Sequence, residues 1–304
     1  MGVGSGLFAT HAFVVESTFG TTPGSPSMKP LPSIGGTISP TANMEAIYDM
    51  GSQRQVREMV PTSRISEGSL DVQFAYADFD ELLAGALFGA WSSNVAKAGI
   101  TPKSFTIEER HPDITNGYLR HRGAMVNGVS ISAQPEQIVS ATFDILARET
   151  ASAATSLGSA SALVSAVPFV GFSGALIDGA QTLGRVSGIE LSIANNLQPI
   201  YGMSIDQLPF ELAPGMVNVT GTVSFYLESL GYIDKFLSNT AVELLLTLAD
   251  ALGNQLEFSM PAVKFTGTSR DMNRDGPIIL GMPFSAYLDS GIASSIQLTR
   301  TPAA

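Results

Sequence analysis

The chain has 304 residues, 44% of them hydrophobic and 14% charged, with a formal net charge of −11 and a pI near 4.6. That length suffices for two domains with their own cores, and that composition excludes a disordered chain. An acidic surface repels phosphate and argues against sequence-specific nucleic-acid binding, while the lack of cysteine excludes disulfides and thiolate metal sites.

Residues 1–20, MGVGSGLFATHAFVVESTFG, lack the basic region and sustained apolar core of a secretory signal. GVGSG follows no strand and precedes no clear helix, so it is not read as a phosphate loop. Residues 43–51 read NMEAIYDMG, and their frame N-x-x-x-I-Y-x-M returns in NLQPIYGMS, 153 positions later. At that offset Asn43, Ile47, Tyr48, Met50, Glu58, Pro61 and Gly68 meet Asn196, Ile200, Tyr201, Met203, Glu211, Pro214 and Gly221. Internal repetition on this scale bears on the fold before any motif does, and it predicts two copies of one domain.

Residues 51–68 read as a long connection holding Arg54, Arg57 and Arg64 against Glu58 and Glu67. The matching stretch of the second copy has no basic residue, which favours a protruding loop that meets another subunit over a nucleic-acid patch. A solvated loop without a partner is the bland alternative. Next, Leu70, Val72, Phe74 and Tyr76 alternate with Asp71, Gln73 and Ala75, the period of a half-buried strand. The period then changes: Phe79, Leu82, Leu83 and Leu87 fall at helical spacing, with Asp78 available as N-cap. The acids of DFDELL suit a helix N-terminus better than an acid–base pair.

KSFTIEER, residues 103–110, predicts a strand with Phe105 and Ile107 on one face. VNGVSISA (126–133) and IVSATFDILARE (138–149) predict a hairpin turning at 134–137. The three histidines, His11, His111 and His121, have no short metal-ligand spacing and are read as structural or surface residues. Residues 150–177 carry no charge, but they are mostly small, and they predict a linker running into a strand in preference to a membrane span.

The second copy repeats the order. GALIDGAQTLGRV predicts a hairpin around Asp178-Gly179. TVSFYLESL alternates, GYIDKFLS turns helical, VELLLTLAD (242–250) is a strand, and AVKFTGT (262–268) pairs with IILGMPFSAYLD (278–289). DMNRDG (271–276) matches half of a calcium loop, but Met282 stands where the loop's last acid belongs, so a hairpin turn is predicted. NVT at Asn218 is a glycosylation sequon only in a secretory compartment. The domains are therefore 1–150, with an N-terminal arm over about 1–30, a small-residue linker over 151–164, and 165–304.

The strand–helix stretch EGSLDVQFAYADFDELL, then KSFTIE, NGVSIS and the hairpin, resembles the tail tube (major tail) proteins of long non-contractile-tailed bacteriophages. PFVGFSGALIDGAQ and GIELSIANNLQPIYGMS resemble the second half of two-domain members, so the resemblance runs from about residue 30 to near the end. It implies a mainly β fold of two tandem β-sandwiches or partial barrels, each flanked by one helix, whose inner sheets close into a β-barrel on oligomerisation. It implies rings of three chains with pseudo-sixfold symmetry, stacked into a tube that conducts genomic DNA. Implied partners are further copies of the chain, tail-tip and tail-terminator proteins, the tape-measure protein, and then double-stranded DNA held without sequence specificity. No enzymatic activity, cofactor, metal or membrane is implied, and the place is the virion tail, assembled in the host cytoplasm.

The polar strand faces give the candidate lumen positions: Asp71, Gln73, Ser130, Ser132, Thr142, Asp144, Ser224 and Glu228. Arg54, Arg57, Glu58 and Arg64 are the candidates for contact with the adjacent ring, since 51–68 resembles the loop that family members use there. Rival expectations are a tube subunit of a contractile tail or related injector, an enzyme on a duplicated β-barrel, and a capsid or adhesion module. The enzyme lacks a polar cluster in the sequence.

Overall fold

The computed structural model describes residues 3–51, 54–165, 167–171, 186–203, 206–272, 274 and 276–303 in full, and the backbone alone of 175–178 and 181–182. The first half holds a 3-10 turn at Gly6–Phe8 and strands β1 (Thr10–Val15), β2 (Lys29–Leu31), β3 (Ser33–Ile47) and β4 (Glu58–Gln73). Helix α1 (Asp80–Leu87) follows, then β5 (Val95–Lys97), β6 (Phe105–Arg110), β7 (Tyr118–Ala133), β8 (Ser140–Ala147) and β9 (Glu149–Ala153). The second half holds β10 (Ala175–Asp178), β11 (Gln181–Thr182), β12 (Val186–Ala194), β13 (Gln198–Ile200), β14 (Glu211–Ala213) and β15 (Asn218–Tyr226). Helix α2 (Gly231–Leu237) precedes β16 (Val242–Ala249), β17 (Gln255–Phe265), β18 (Ser269–Asp271), β19 (Ile279–Ala286) and β20 (Gln297–Thr301).

Seven strands form one continuous antiparallel run in the order β3-β4-β8-β7-β12-β15-β19. The two halves therefore join through the β7–β12 pair, Gly128–Ala133 against Ala194–Ile189. Strand β7 serves two layers. Its first part pairs with β6 and β9, its last part with β8 and β12, and a register shift falls between Val126 and Gly128. A strand that changes sheets at such an irregularity makes a sandwich corner. In the second half β17 behaves likewise, pairing first with β16 and β20 and then with β19.

The pairing registers recur at the offset of the sequence echo. Ser39 faces Glu67 and Ser192 faces Thr220; Thr37 faces Ser69 and Glu190 faces Thr222. The register shift between Ser33 and Gly35 returns between Val186 and Gly188. Glu45–Val60 and Ile47–Glu58 return as Gln198–Ala213 and Ile200–Glu211. Gly68 and Gly221 share a reason for being glycine: a Cβ there would lie 1.9 Å from the Thr37 carbonyl oxygen and 2.2 Å from that of Glu190.

One hydrophobic core runs through both halves. Its rows cross the seven-stranded run: Leu70, Phe143, Val129, Ile193 and Val219 in one, Val72, Ala141, Ile131, Leu191 and Phe284 in the next. Phe74 stands where the halves meet, with ring centroids 5.7 Å from Phe79 and Phe169 and 6.4 Å from Phe258. β5, from the first half, also pairs with β20 at the end of the chain, and Arg300 there lies 4.3 Å over the Trp91 ring and pairs with Asp80.

Three expectations change. Asp78 does not cap α1: the N-cap is Phe79, and the Asp78 carboxylate accepts the backbone N–H groups of Val164 and Ser165, 86 and 87 positions away. A buried carboxylate takes the donors that tertiary packing brings to it. The connection 51–68 is largely strand, because β3 and β4 pair from Ser33–Val72 out to Ile47–Glu58. The linker 151–164 begins as strand β9, held against β7. The Asp178-Gly179 turn lies partly outside the described residues, although Asp178 pairs with Gln181 across it. Asn273 and Asp275 of DMNRDG also lie outside them, and Asp271 belongs to β18.

Candidate functional site

Period-two alternation puts core on one side of the seven-stranded run and a polar face on the other. Three registered rows define that face. The first is Gly35, Asp71, Thr142, Ser130, Ser192, Thr220 and Ser285. The second is Gln73, Ser140, Ser132, Glu190, Thr222 and Pro283, and the third is Thr37, Ser69, Asp144, Gly128, Ala194 and Asn218. Within the seven strands these rows contain three carboxylates and no lysine or arginine, and the first row continues past Ser285 to Lys264 of β17. Thr142 Oγ1 donates to Asp71 Oδ1 at 2.7 Å, and the Ser130 and Ser192 hydroxyls lie 3.3 Å apart across the joint between the halves. Burial, with the like charge of Asp71 second, raises the Asp144 carboxyl above its ordinary value. A concavity of about 320 Å³ lies on this face, lined by Ser132, Thr142, Glu190, Ser192 and Thr222 among others.

Six of the sequence candidates, Asp71, Gln73, Ser130, Ser132, Thr142 and Asp144, lie together on this face. Ser224 joins them, registered with Gly281 two residues along from Thr222. Glu228 does not, because β15 ends at Tyr226. Sequence reading missed Glu190 and Ser192. Their signal was available: Ile189, Leu191 and Ile193 alternate with them in GIELSIA, which the resemblance treated only as part of a longer match.

The other candidates lie on the hairpin that β3 and β4 build beyond the sheet. Glu58 and Arg64 are in β4, and Arg54 and Arg57 are in the turn. Arg57 pairs with Asp49 at 2.7 Å, both well exposed, which contributes at most about 1 kcal/mol. The Arg64 backbone N–H donates to the Gln207 carbonyl, and its carbonyl accepts the Tyr201 hydroxyl, so the first hairpin leans on the β13–β14 hairpin. Both tips expose the residues of the repeated frame: Tyr48 and Met50 on one, Tyr201 and Met203 on the other. Met44, Val56 and Met59 extend the first apolar tip.

The structure also gathers what the sequence left scattered. His11 on β1, His121 on β7 and His111 after β6 all point an Nε2 at the Glu109 carboxylate, at 3.9, 3.7 and 2.7 Å. The Nδ1 atoms of His11 and His121 are engaged by Ser33 and Thr150 hydroxyls. Antiparallel pairing of β1, β6 and β7 makes these neighbours, which linear spacing does not predict. Among the described residues no group of side chains is arranged to hold a metal ion, and no helix is long and apolar enough to cross a membrane.

This cluster gives a pH dependence with a fixed sign. Burial lowers the His11 pKa, so unfolded chains bind a proton below pH 6.5 that folded ones refuse. The histidines around it, His121 first, lower the Glu109 pKa, so its contribution is present above 4.5 and lost as pH falls through the folded value. Unfolding free energy is expected to decline from pH 7 to 5.5 and more steeply below 4.5. His11→Leu is expected to flatten the first limb in denaturant titrations; an unchanged first limb would contradict this assignment.

The family model described as phage tail tube protein matches residues 9–286. No curated protein matches the chain.

Proposed function

The chain belongs to the phage tail tube protein family, a structural component of the virion tail that assembles into a tube, and from that premise we propose how its two halves serve the tube. The halves, 1–150 and 165–304 with 151–164 between them, are duplicated tube domains, and each fills one of six positions in a ring. Three chains then close a ring, and the seven-stranded runs of the three chains join into one barrel whose inner wall is the polar face. Rings stack into a tube that conducts the genomic DNA.

The observation that carries this reading is the recurrence of the β3–β4 pairing registers, shift included, in β12–β15 and β13–β14 at an offset of 153. Unrelated domains joined in tandem have no reason to repeat a register shift at a fixed interval. Because β7 and β12 already pair, the two polar faces form one surface. Asp71, Asp144 and Glu190 outnumber Lys264 at the end of the first row and make that surface acidic, so it repels the phosphate backbone and the duplex slides without being gripped. The tape-measure protein fills the lumen first, tail-tip and terminator proteins close the two ends, and assembly takes place in the host cytoplasm.

The exposed apolar tips at Tyr48–Met50 and Tyr201–Met203 supply the stacking contact between rings, with Arg54, Arg57, Glu58 and Arg64 beside them. Tyr48→Asp with Met50→Asp places two charges in that contact. The expected outcome is a folded protein, with circular dichroism like that of the unsubstituted chain, that no longer forms rods in negative-stain images. Rods of normal length from this variant would remove the tips from the stacking contact. Failure of the unsubstituted chain to form rods, even with a tail-tip complex present, would remove the tube reading.

A further inference from the structure

Among the described residues two edges are open, the outer side of β3 at one end of the run and, at the other, the outer side of β18, which shares the flank of β19 with β17. On one side β3 has no partner beyond β4 among the described residues, and it is 15 residues long with an almost wholly exposed outer part. On the other side β18 pairs, among the described residues, only with β19. Long open edges are templates for another strand. The chain already contains a junction of the kind these edges could make, namely β7 with β12.

Registers identify the counterparts. Ser130 faces Thr142, which faces Asp71; Ser269 faces Gly281, which faces Ser224. Asp71 and Ser224 are 153 positions apart, so Ser269 holds in the second half the place that Ser130 holds in the first. Ser130 pairs with Ser192, and 153 positions before Ser192 stands Ser39. The same steps set Asp271 in the place of Ser132, and Thr37 in that of Glu190.

We infer that β18 of one chain pairs antiparallel with β3 of a second copy, with Ser269 opposite Ser39 and Asp271 opposite Thr37. The internal β7–β12 joint is the template for the joint between chains. The contact is head-to-tail, uses different surfaces on its two sides, and closes when the rotation it imposes returns to the start. Side chains agree with the placement. Ser39 and Ser269 are both exposed. A Cβ on Gly281 would lie 2.5 Å from Ser269 Oγ, so Ser269 projects on the face that Ser224 shares. Ile38 between Thr37 and Ser39 is buried in the core, as Leu191 is between Glu190 and Ser192. This inference rests on the ring reading above and adds to it the strands and register that close the ring.

The chain has no cysteine, so engineered pairs report without background. Opposed residues in an antiparallel pair have Cα atoms about 4.5–5.5 Å apart, within disulfide range. Rods of Ser39→Cys/Ser269→Cys, and separately of Thr37→Cys/Asp271→Cys, would be oxidised and run on a non-reducing gel. Ser130→Cys/Ser192→Cys, which closes within one chain, checks the oxidation. The expected result moves most of the protein into a three-chain band for both test pairs. Thr41→Cys/Asp271→Cys, four residues out of register, stays at one chain. Rods that cross-link at neither test pair, or best at the out-of-register pair, overturn the register while leaving the tube reading intact. No rods from the unsubstituted chain, and no cross-link between chains, overturns the ring reading and this inference with it.

Discussion

Phe74→Ala is expected to lower the unfolding free energy by about 3–5 kcal/mol, the range for deleting a buried phenylalanine. Phe74 has no exposed surface, and it is where both halves meet one ring: Phe79 from the first half on one side, Phe169 and Phe258 from the second on two others. Its backbone is fixed as well. The Phe74 N–H donates to the Val139 carbonyl, and its carbonyl accepts from Phe169. The surroundings therefore have little freedom to collapse into the space, and that sets the cost toward the upper part of the range. Gln73→Ala, one residue away on the exposed face, is expected to change stability by less than about 0.5 kcal/mol. Guanidinium titrations of the two variants check this, and a loss below about 1 kcal/mol for Phe74→Ala would show that the halves do not depend on this contact.

Glu108→Ala is the second large effect, expected near 3 kcal/mol and of a different origin. The Glu108 side chain is fully buried and accepts from Arg110 Nε at 2.8 Å, Arg120 Nε at 3.4 Å, Ser156 Oγ at 2.8 Å and the Leu157 N–H at 2.8 Å. The two guanidinium groups reach on to the carbonyls of Gly158 and Thr155. Removing the carboxylate strands two mostly buried cations, and breaking a buried pair costs about 3–5 kcal/mol; residual solvent access to both arginines sets the lower figure. It also releases the backbone of 155–158, the segment that leads from one half to the other. Limited proteolysis is expected to cut the variant there and to spare the parent. Glu108→Gln keeps one acceptor oxygen, which serves the Leu157 N–H while the hydroxyl of Ser156 can turn to accept from the new amide, but it gives up the charge, so its loss is expected to be smaller than that of Glu108→Ala.

The recurring registers left an echo in the sequence where side chains have fixed jobs. Gly68 and Gly221 are constrained by carbonyl oxygens, and the Tyr and Met of the shared frame sit at equivalent hairpin tips. The strand–helix switch was legible from period alone, since Leu70 and Val72 face the core from β4 and Leu82, Leu83 and Leu87 from α1. The hairpin arm was not. Gly35, Gly36, Pro40 and Pro61 interrupt β3 and β4, and such residues read as loop, yet 14 registered pairs hold the strands together. The pairing of β7 with β12 was also hidden, because alternation fixes which face a residue occupies and not which strand lies beside it. The Glu109 cluster and the Asp78 contacts depend on residues far apart in the chain, for which local spacing carries no signal. Of the eight residues proposed for the lumen, alternation puts seven on the polar face, and Glu228 lies off it because the alternation ran past the end of its strand.

If one chain occupies two of six ring positions, as proposed, the mass of a ring is fixed by it. Scanning transmission electron microscopy of unstained rods gives mass per length, and averages viewed down the axis give the ring. The expected value is three chains of 31.8 kDa per ring around an open centre with six similar lobes. Six chains per ring, with six lobes on the wall and six more outside it, would mean that only one half of each chain builds the wall.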